Sequence, residues 1–163
     1  EEEKKLSSEK IREIMETNFF GTLNCIMAVN TYFREKKSGH ISIVSSVAGY
    51  RGLPAASGYC ASKSALIALA ESLYFDFKRH NVRVSVINPG FIKTPMTDKN
   101  KFPMPMIKSA EFAAEKMFVG LTKKNAFEIH FPMAFTIIMK LLKIMPNWLY
   151  FLLVKKGMRT IKY

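Results

Sequence analysis

Acidic residues stop early in this chain of 163 residues. The last is Glu128; Lys140, Lys143, Lys155, Lys156, Arg159 and Lys162 follow with no acid to balance them. Over the whole chain 25 Lys and Arg stand against 13 Asp and Glu, a net charge of +12. That balance permits nucleic acid, an anionic membrane surface or anionic ligands as partners. Nucleic acid rests on charge alone, because no helix-turn-helix pattern or aromatic–basic strand motif accompanies it, and we exclude it. Cysteine is scarce: Cys25 and Cys60 form neither a disulfide framework nor a metal spacing. They point to a reducing, cytoplasmic setting. His40, His80 and His130 have no partners at ligand spacing, so no metal site is expected. A long apolar run is also missing. After Lys143 the longest uncharged stretch is eleven residues and contains Pro146, where a membrane-spanning helix needs about 20. The opening "EEEKKLSSEK" is charged where a signal peptide would be apolar. It reads as an acidic linker leading into a helix.

What is present is a globular composition, 48% hydrophobic and 23% charged. From Ser8 to about Lys37 the apolar residues Ile11, Met15, Phe19, Leu23, Ile26 and Phe33 recur at helical steps. Ser7 or Ser8 can cap the first turn. Asn18 falls inside that apolar stripe and Gly21 follows it. Both are locally unfavourable in a helix, which marks a site or a close contact. Residues 40–46 and 82–87 read as short buried strands, with a helix over about 58–80 between them. Residues 91–108 carry Pro95, Pro103 and Pro105 and read as a loop. Ser109 can cap a third helix to about Leu121, and residues 126–130 make a short strand. Helix and strand alternate, which predicts an α/β fold with a parallel sheet and flanking helices.

A tyrosine precedes a lysine by four residues three times: Tyr32 and Lys36, Tyr59 and Lys63, Tyr74 and Lys78. The spacing alone therefore discriminates nothing. Position does. In a parallel sheet, ligands bind beyond the carboxyl ends of the strands. Ser46 ends one strand, and Asn88, Pro89 and Gly90 end the next. Tyr59 and Lys63 begin the helix between them, at the same edge and on one helical face. Tyr32 and Tyr74 lie late in their helices, toward the opposite edge. A phenol beside an ammonium suits proton exchange with a hydroxyl or carbonyl oxygen, since the positive charge favours the phenolate. Ser46 can share the same substrate oxygen, and Asn18 can connect to Lys63 through a water or a backbone group. Small residues at Ala61, Ser62 and Ala65 would let a flat ligand approach.

Five elements in order resemble the short-chain dehydrogenase/reductase family: "N-F-F-G" at 18–21, "I-V-S-S-V-A-G" at 43–49, "Y-C-A-S-K" at 59–63, "N-P-G-F-I-K-T" at 88–94, and Ser46 thirteen residues before Tyr59. The resemblance covers about residues 8–130. It implies a Rossmann-like fold and an NAD- or NADP-dependent oxidoreductase that interconverts an alcohol and a ketone or aldehyde. It implies that Tyr59 is the general acid/base, that Lys63 lowers its pKa and binds the nicotinamide ribose, and that Ser46 orients the substrate oxygen. Asn18 would complete the tetrad through a water relay. Pro89, Gly90, Ile92 and Thr94 would line the nicotinamide. A homodimer or homotetramer through helices 8–37 and 58–80 is also implied.

The family's glycine-rich phosphate turn and its first four strands have no counterpart among these residues. The chain is therefore expected to be the C-terminal half of such an enzyme, inactive and poor at holding NAD(P) by itself. The alternative is a non-catalytic oligomerisation module. Residues 1–130 would be the half-domain and 131–163 an amphipathic helical tail or lid extension, broken at Pro146. The loop at 91–108, apolar with Lys93, Lys99, Lys101 and Lys108 interspersed, reads as a substrate lid or a solvated loop. An apolar substrate fits the first reading. The basic tail suits an anionic bilayer face, or packing over a pocket or a partner subunit.

Overall fold

The computed structural model of the chain describes residues 7–99, 102–123 and 125–160. Three parallel strands form its sheet in the order β1 (Gly39–Val44), β2 (Val82–Pro89), β3 (Glu128–Phe131). Gly39 lies opposite Val82 and Val44 opposite Ile87, while Val86 to Pro89 pair with Glu128 to Phe131. The helices are α1 (Ser8–Met15), α2 (Gly21–Lys36), α3 (Ser57–Lys78), α4 (Ala110–Thr122), α5 (Met133–Ile144) and α6 (Asn147–Thr160). The expected α/β, Rossmann-like arrangement is what the chain adopts.

Central strand β2 is buried on both faces, as a strand covered by helices on two sides should be. Val82, Val84 and Val86 face a core shared with Ile41, Ile43, Leu66, Ala70 and Phe77. Ile87 turns the other way and joins Ile129, Phe131 and Ala113 under α4. Period-two alternation thus places α3 on one face and α4 on the other. Pro89 can end a central strand because β1 has already stopped at Val44, so no β1 partner needs its missing N–H. β1 pairs only with β2 among the described residues, which leaves its outer edge without a strand.

One boundary differs from the sequence reading. The first helix is not continuous: a π-turn over Glu16–Phe20 separates α1 from α2. Asn18 sits in that turn, so the polar residue in an apolar stripe marks a local widening of the helix, a feature concentrated at functional sites. The first helix caps on Ser7, whose hydroxyl accepts from the Lys10 N–H, and α4 caps on Ser109, which accepts from Phe112.

The tail is two helices broken at Pro146, as expected. It is not loose. Met139 of α5 joins the main core, Thr136 is fully buried and binds His130, and Tyr150 of α6 is 3% exposed. The Tyr150 hydroxyl donates to the Gly52 carbonyl. Arg51 stacks on the Tyr150 ring and donates to the carbonyls of Lys143 and Met145 and to the Asn147 side chain. These contacts tie both helices to the loop between Ser46 and Tyr59. No helix among the described residues is long and apolar enough to cross a membrane.

Candidate active site

The carboxyl edge of the sheet gathers the predicted residues from four segments. β1 runs out into Ser45 and Ser46. The Ser45 N–H donates to the Ile87 carbonyl and its hydroxyl to the Lys63 carbonyl at 2.7 Å, which fixes the strand end against α3. Ser46 is 9% exposed; its hydroxyl accepts from the Ala48 N–H and donates to the Pro89 carbonyl at 3.4 Å. The loop then passes so close to α3 that a Cβ on Gly49 would stand 2.8 Å from the Lys63 carbonyl. Only glycine allows that approach. Ser45 and Gly49 were not singled out in the sequence, where the first is one hydroxyl among several and the second an ordinary loop glycine.

Tyr59 and Lys63 occupy the first two turns of α3. The Lys63 ammonium stands 5.7 Å from the centre of the Tyr59 ring and donates to the Val44 carbonyl at 3.1 Å. The two other tyrosine–lysine pairs show the same geometry, with separations of 5.8 Å for Lys36 over Tyr32 and 5.4 Å for Lys78 over Tyr74. Distance therefore separates none of the three. Tyr59 is set apart by the nearby Ser46 hydroxyl, which draws its phenol pKa down against burial.

The net direction at Tyr59 is up. Burial is the largest influence, Ser46 opposes it, and the adjoining Cys60 thiol adds a smaller upward push. The residue keeps 38% of its surface open, yet enough of the ring is enclosed for burial to prevail. Burial also lowers the Lys63 ammonium. The expected lowering of Tyr59 by Lys63 is not among the influences on the phenol here; the downward one is the hydroxyl of Ser46. A phenol shifted this way is protonated at neutral pH, the form that donates to a carbonyl oxygen.

Asn18 does not reach Lys63 directly. Its side chain donates to the Ser62 hydroxyl at 3.0 Å, and its carbonyl accepts from Thr22. Ser62 is fully buried and donates in turn to the Tyr59 carbonyl. This corrects one expectation: Ser62 makes no room for a ligand. With Gly58, whose Cβ would meet Ile11 and Ile14 at 3.2–3.3 Å, it lets the first helix pack tightly against α3. Asn18 thus locks the turn that carries Tyr59.

Pro89, Gly90, Ile92 and Thr94 follow β2 on the same edge. A Cβ on Gly90 would lie 2.8 Å from Phe135, so the start of α5 presses onto this turn. Thr97 closes the next stretch, donating to the Ile92 carbonyl at 2.7 Å and accepting from the Thr94 N–H at 2.8 Å. The 91–108 loop is drawn shut at its base by Lys93 N–H to Lys108 O and Lys108 N–H to Phe91 O. Lys101 lies outside the described residues, as does the side chain of Lys99.

A second polar cluster adjoins the first. Glu128 accepts from Tyr50, from Asn88 at 2.8 Å and from Lys140 at 2.5 Å. Burial pulls the Glu128 carboxyl up, but the hydrogen bonds from Lys140, Tyr50 and Asn88 and the Lys140 charge outweigh it, and its pKa falls. Burial and the carboxylate push Tyr50 far up. Nothing in the sequence flagged this group, whose members come from β2, β3, α5 and the loop after Ser46. The histidines are structural: His40 binds Ser85, His80 binds Arg34 and His130 binds Thr136. A cleft lined by His40, Tyr74, Lys78, Arg83 and Asn125 opens at the amino ends of the strands, remote from Tyr59. No group of side chains suited to a metal occurs among the described residues.

With this geometry established, comparison with known proteins is informative. The family model described as short chain dehydrogenase matches residues 1–103. The chain belongs to the short-chain dehydrogenase family. A Myxococcus xanthus protein named as an uncharacterized oxidoreductase is 39% identical over 147 residues, 90% of this chain and 58% of its own length. A Thermotoga maritima 3-oxoacyl-[acyl-carrier-protein] reductase is 36% identical over 86 residues, 53% of this chain and 35% of its own. Among solved structures, a short-chain dehydrogenase from Burkholderia cenocepacia in complex with NADP superposes with a TM-score of 0.77 at 28% identity, covering 90% of this chain and 60% of that one. The chain thus spans less than two thirds of the length of these relatives.

Proposed function

We propose that these residues form the catalytic half of an NAD- or NADP-dependent oxidoreductase that interconverts an alcohol and a ketone or aldehyde. The observation that carries this is the gathering of Ser46 and Tyr59 at the carboxyl edge of the sheet, with the Ser46 hydroxyl acting on the phenol and Lys63 one turn on. Membership of the family and the NADP-bound Burkholderia neighbour support it. Residues 1–130 supply the chemistry and 131–163 are an extension built onto it. A reducing, cytoplasmic setting suits the two free cysteines. Assembly as a homodimer or homotetramer through α2 and α3 would cover Met27, Tyr32 and Phe75, which stand in solvent.

The donors at the edge fit the nicotinamide end of such a cofactor. Lys63 has ammonium protons beyond the one given to Val44, and the Tyr59 hydroxyl lies on its face; together they can hold the ribose hydroxyls. Pro89, Gly90, Ile92 and Thr94 would line the ring. When bound, the nicotinamide accepts or supplies the hydride. Tyr59 then donates its proton to the carbonyl oxygen in reduction, or takes it from the alcohol in oxidation. Ser46 orients that oxygen with its hydroxyl. Asn18 and Ser62 keep the Tyr59 turn in place. An apolar substrate suits the exposed Met96, Phe102, Met106 and Ile107 of the 91–108 loop, and the reductase name of the Thermotoga relative points the same way.

The test is turnover of the full-length protein with NADH or NADPH and a panel of apolar ketones. Tyr59→Phe is expected to reduce kcat about a thousandfold, within the range for losing a positioned acid. Undiminished turnover would overturn the assignment.

A further inference from the structure

The tail helices are apolar on the side that the core does not use. On α5, Met133, Ile137, Leu141 and Ile144 recur at steps of four, four and three and so share one face. All four are exposed, Ile144 by 79%. On α6, Tyr150 is the inward residue, held by Gly52 and Arg51. Trp148, Phe151 and Leu152 recur on the opposite side, and Trp148 is 69% and Phe151 63% exposed. Single exposed apolar residues are ordinary; a run of seven on two consecutive helices is not.

Charge selects the occupant. Lys143 and Lys155 are exposed on the same two helices, and Lys155 continues the Trp148–Leu152 stripe one turn on. The sequence holds no acid after Glu128, and Glu128 is already engaged by Lys140. A second copy docked symmetrically would press this basic face against itself. A further strand added to the open edge would lie beside β1, across the sheet from β3 and α5. An anionic bilayer surface matches both features, taking apolar side chains into the headgroup boundary while lysines reach the lipid phosphates.

We propose that the outer faces of α5 and α6 form a docking surface for membranes containing anionic lipid. The surface lies flat on the bilayer and does not span it. Because Arg51 and Tyr150 join α6 to the loop between Ser46 and Tyr59, docking brings the candidate active site close to the membrane plane.

The test is flotation of the full-length protein with phosphatidylcholine vesicles, with and without phosphatidylserine. Binding is expected with phosphatidylserine, falling steeply at high salt. The Lys143→Glu/Lys155→Glu variant should bind at least about tenfold more weakly, from two reversed charges. Trp148→Ser/Phe151→Ser should also lose binding, and since both side chains are exposed, this variant should keep the wild-type melting temperature. Failure to float with either vesicle, equal flotation with both, or binding unaffected by the lysine reversals would overturn the proposal. So would a solution dimer that dissociates in Trp148→Ser/Phe151→Ser, which would assign the face to a second copy. No outcome depends on turnover, so the reading of the active site stands or falls separately.

Discussion

Two tyrosines, one in the loop after Ser46 and one just beyond it, have lysines over their rings: Lys63 at 5.7 Å from Tyr59, and Lys140 and Lys143 at 5.8 and 5.9 Å from Tyr50. Their chemistry diverges because of what completes each group. Tyr50 donates a hydrogen bond to Glu128, and the same carboxylate neutralises Lys140. Tyr50 is 7% exposed and its pKa is driven far up. Tyr59 has the Ser46 hydroxyl nearby in place of a carboxylate, and its ring reaches solvent. A lysine near a tyrosine is thus not sufficient to make an acid–base catalyst. The counter-charge must be absent and the phenol must be reachable. One cluster pairs its carboxylate with a phenol, an amide and an ammonium and holds the fold; the other keeps hydrogen-bonding capacity for a ligand.

Substitutions can break this contrast in order of expected effect. After Tyr59→Phe, the largest is Ser46→Ala, which removes the one partner drawing the Tyr59 phenol down. We expect a loss of about a hundredfold in kcat in steady-state assays of the full-length protein, with a small drop in melting temperature from the lost bonds to Ala48 and Pro89. Tyr50→Phe should leave kcat within a few-fold, and a comparable loss there would erase the distinction between the two clusters.

Glu128→Gln should cost about 2 kcal/mol of stability, since Lys140 loses its counter-charge and the buried Tyr50 and Asn88 lose the carboxylate they bind. The sign with pH follows from the lowered pKa of Glu128. The folded state holds that proton less tightly than the unfolded chain, so the stabilisation is complete above the unfolded carboxyl pKa. It is lost as pH falls through the folded one. Thermal melts should show the wild type losing stability on acidification, with Glu128→Gln starting lower and changing less. Parallel acid limbs would remove Glu128 as their source.

The smallest effect is expected at the tail. Tyr150→Phe deletes the bond to the Gly52 carbonyl but keeps the ring under Arg51. A cost of about 1 kcal/mol follows, visible as faster hydrogen exchange in α6 and little change in kcat. A large loss of turnover would mean that the clasp shapes the site itself.

Much of this was legible from the sequence because the signals are local. β-branched runs at 40–46 and 82–87, the serine caps, and Pro146 between two apolar stretches fixed the elements within a few residues. The edge that gathers Ser46, Tyr59 and Pro89 followed from the alternation of helix and strand. Other features were hidden because they depend on pairings between distant segments. Tyr50, Asn88, Glu128 and Lys140 meet only after β2, β3 and α5 are in place. Ser62 looked like space for a ligand, whereas its partner Asn18 lies 44 residues away. The π-turn at Asn18 escaped because apolar periodicity averages over several turns and does not register one widened turn. The direction at Tyr59 escaped for another reason: the sequence pointed to the Lys63 charge, whereas in the packed structure burial prevails and the opposing influence is the Ser46 hydroxyl.

The central claim is that the Tyr59 hydroxyl is the group exchanging the substrate proton. The pH dependence of kcat for alcohol oxidation tests it most directly, measured for the full-length wild type and Tyr59→Phe. The account predicts a rate that climbs toward alkaline pH in the wild type, as the phenol loses its proton, and a low, flat profile in the variant. An alkaline climb that survives in Tyr59→Phe would contradict it.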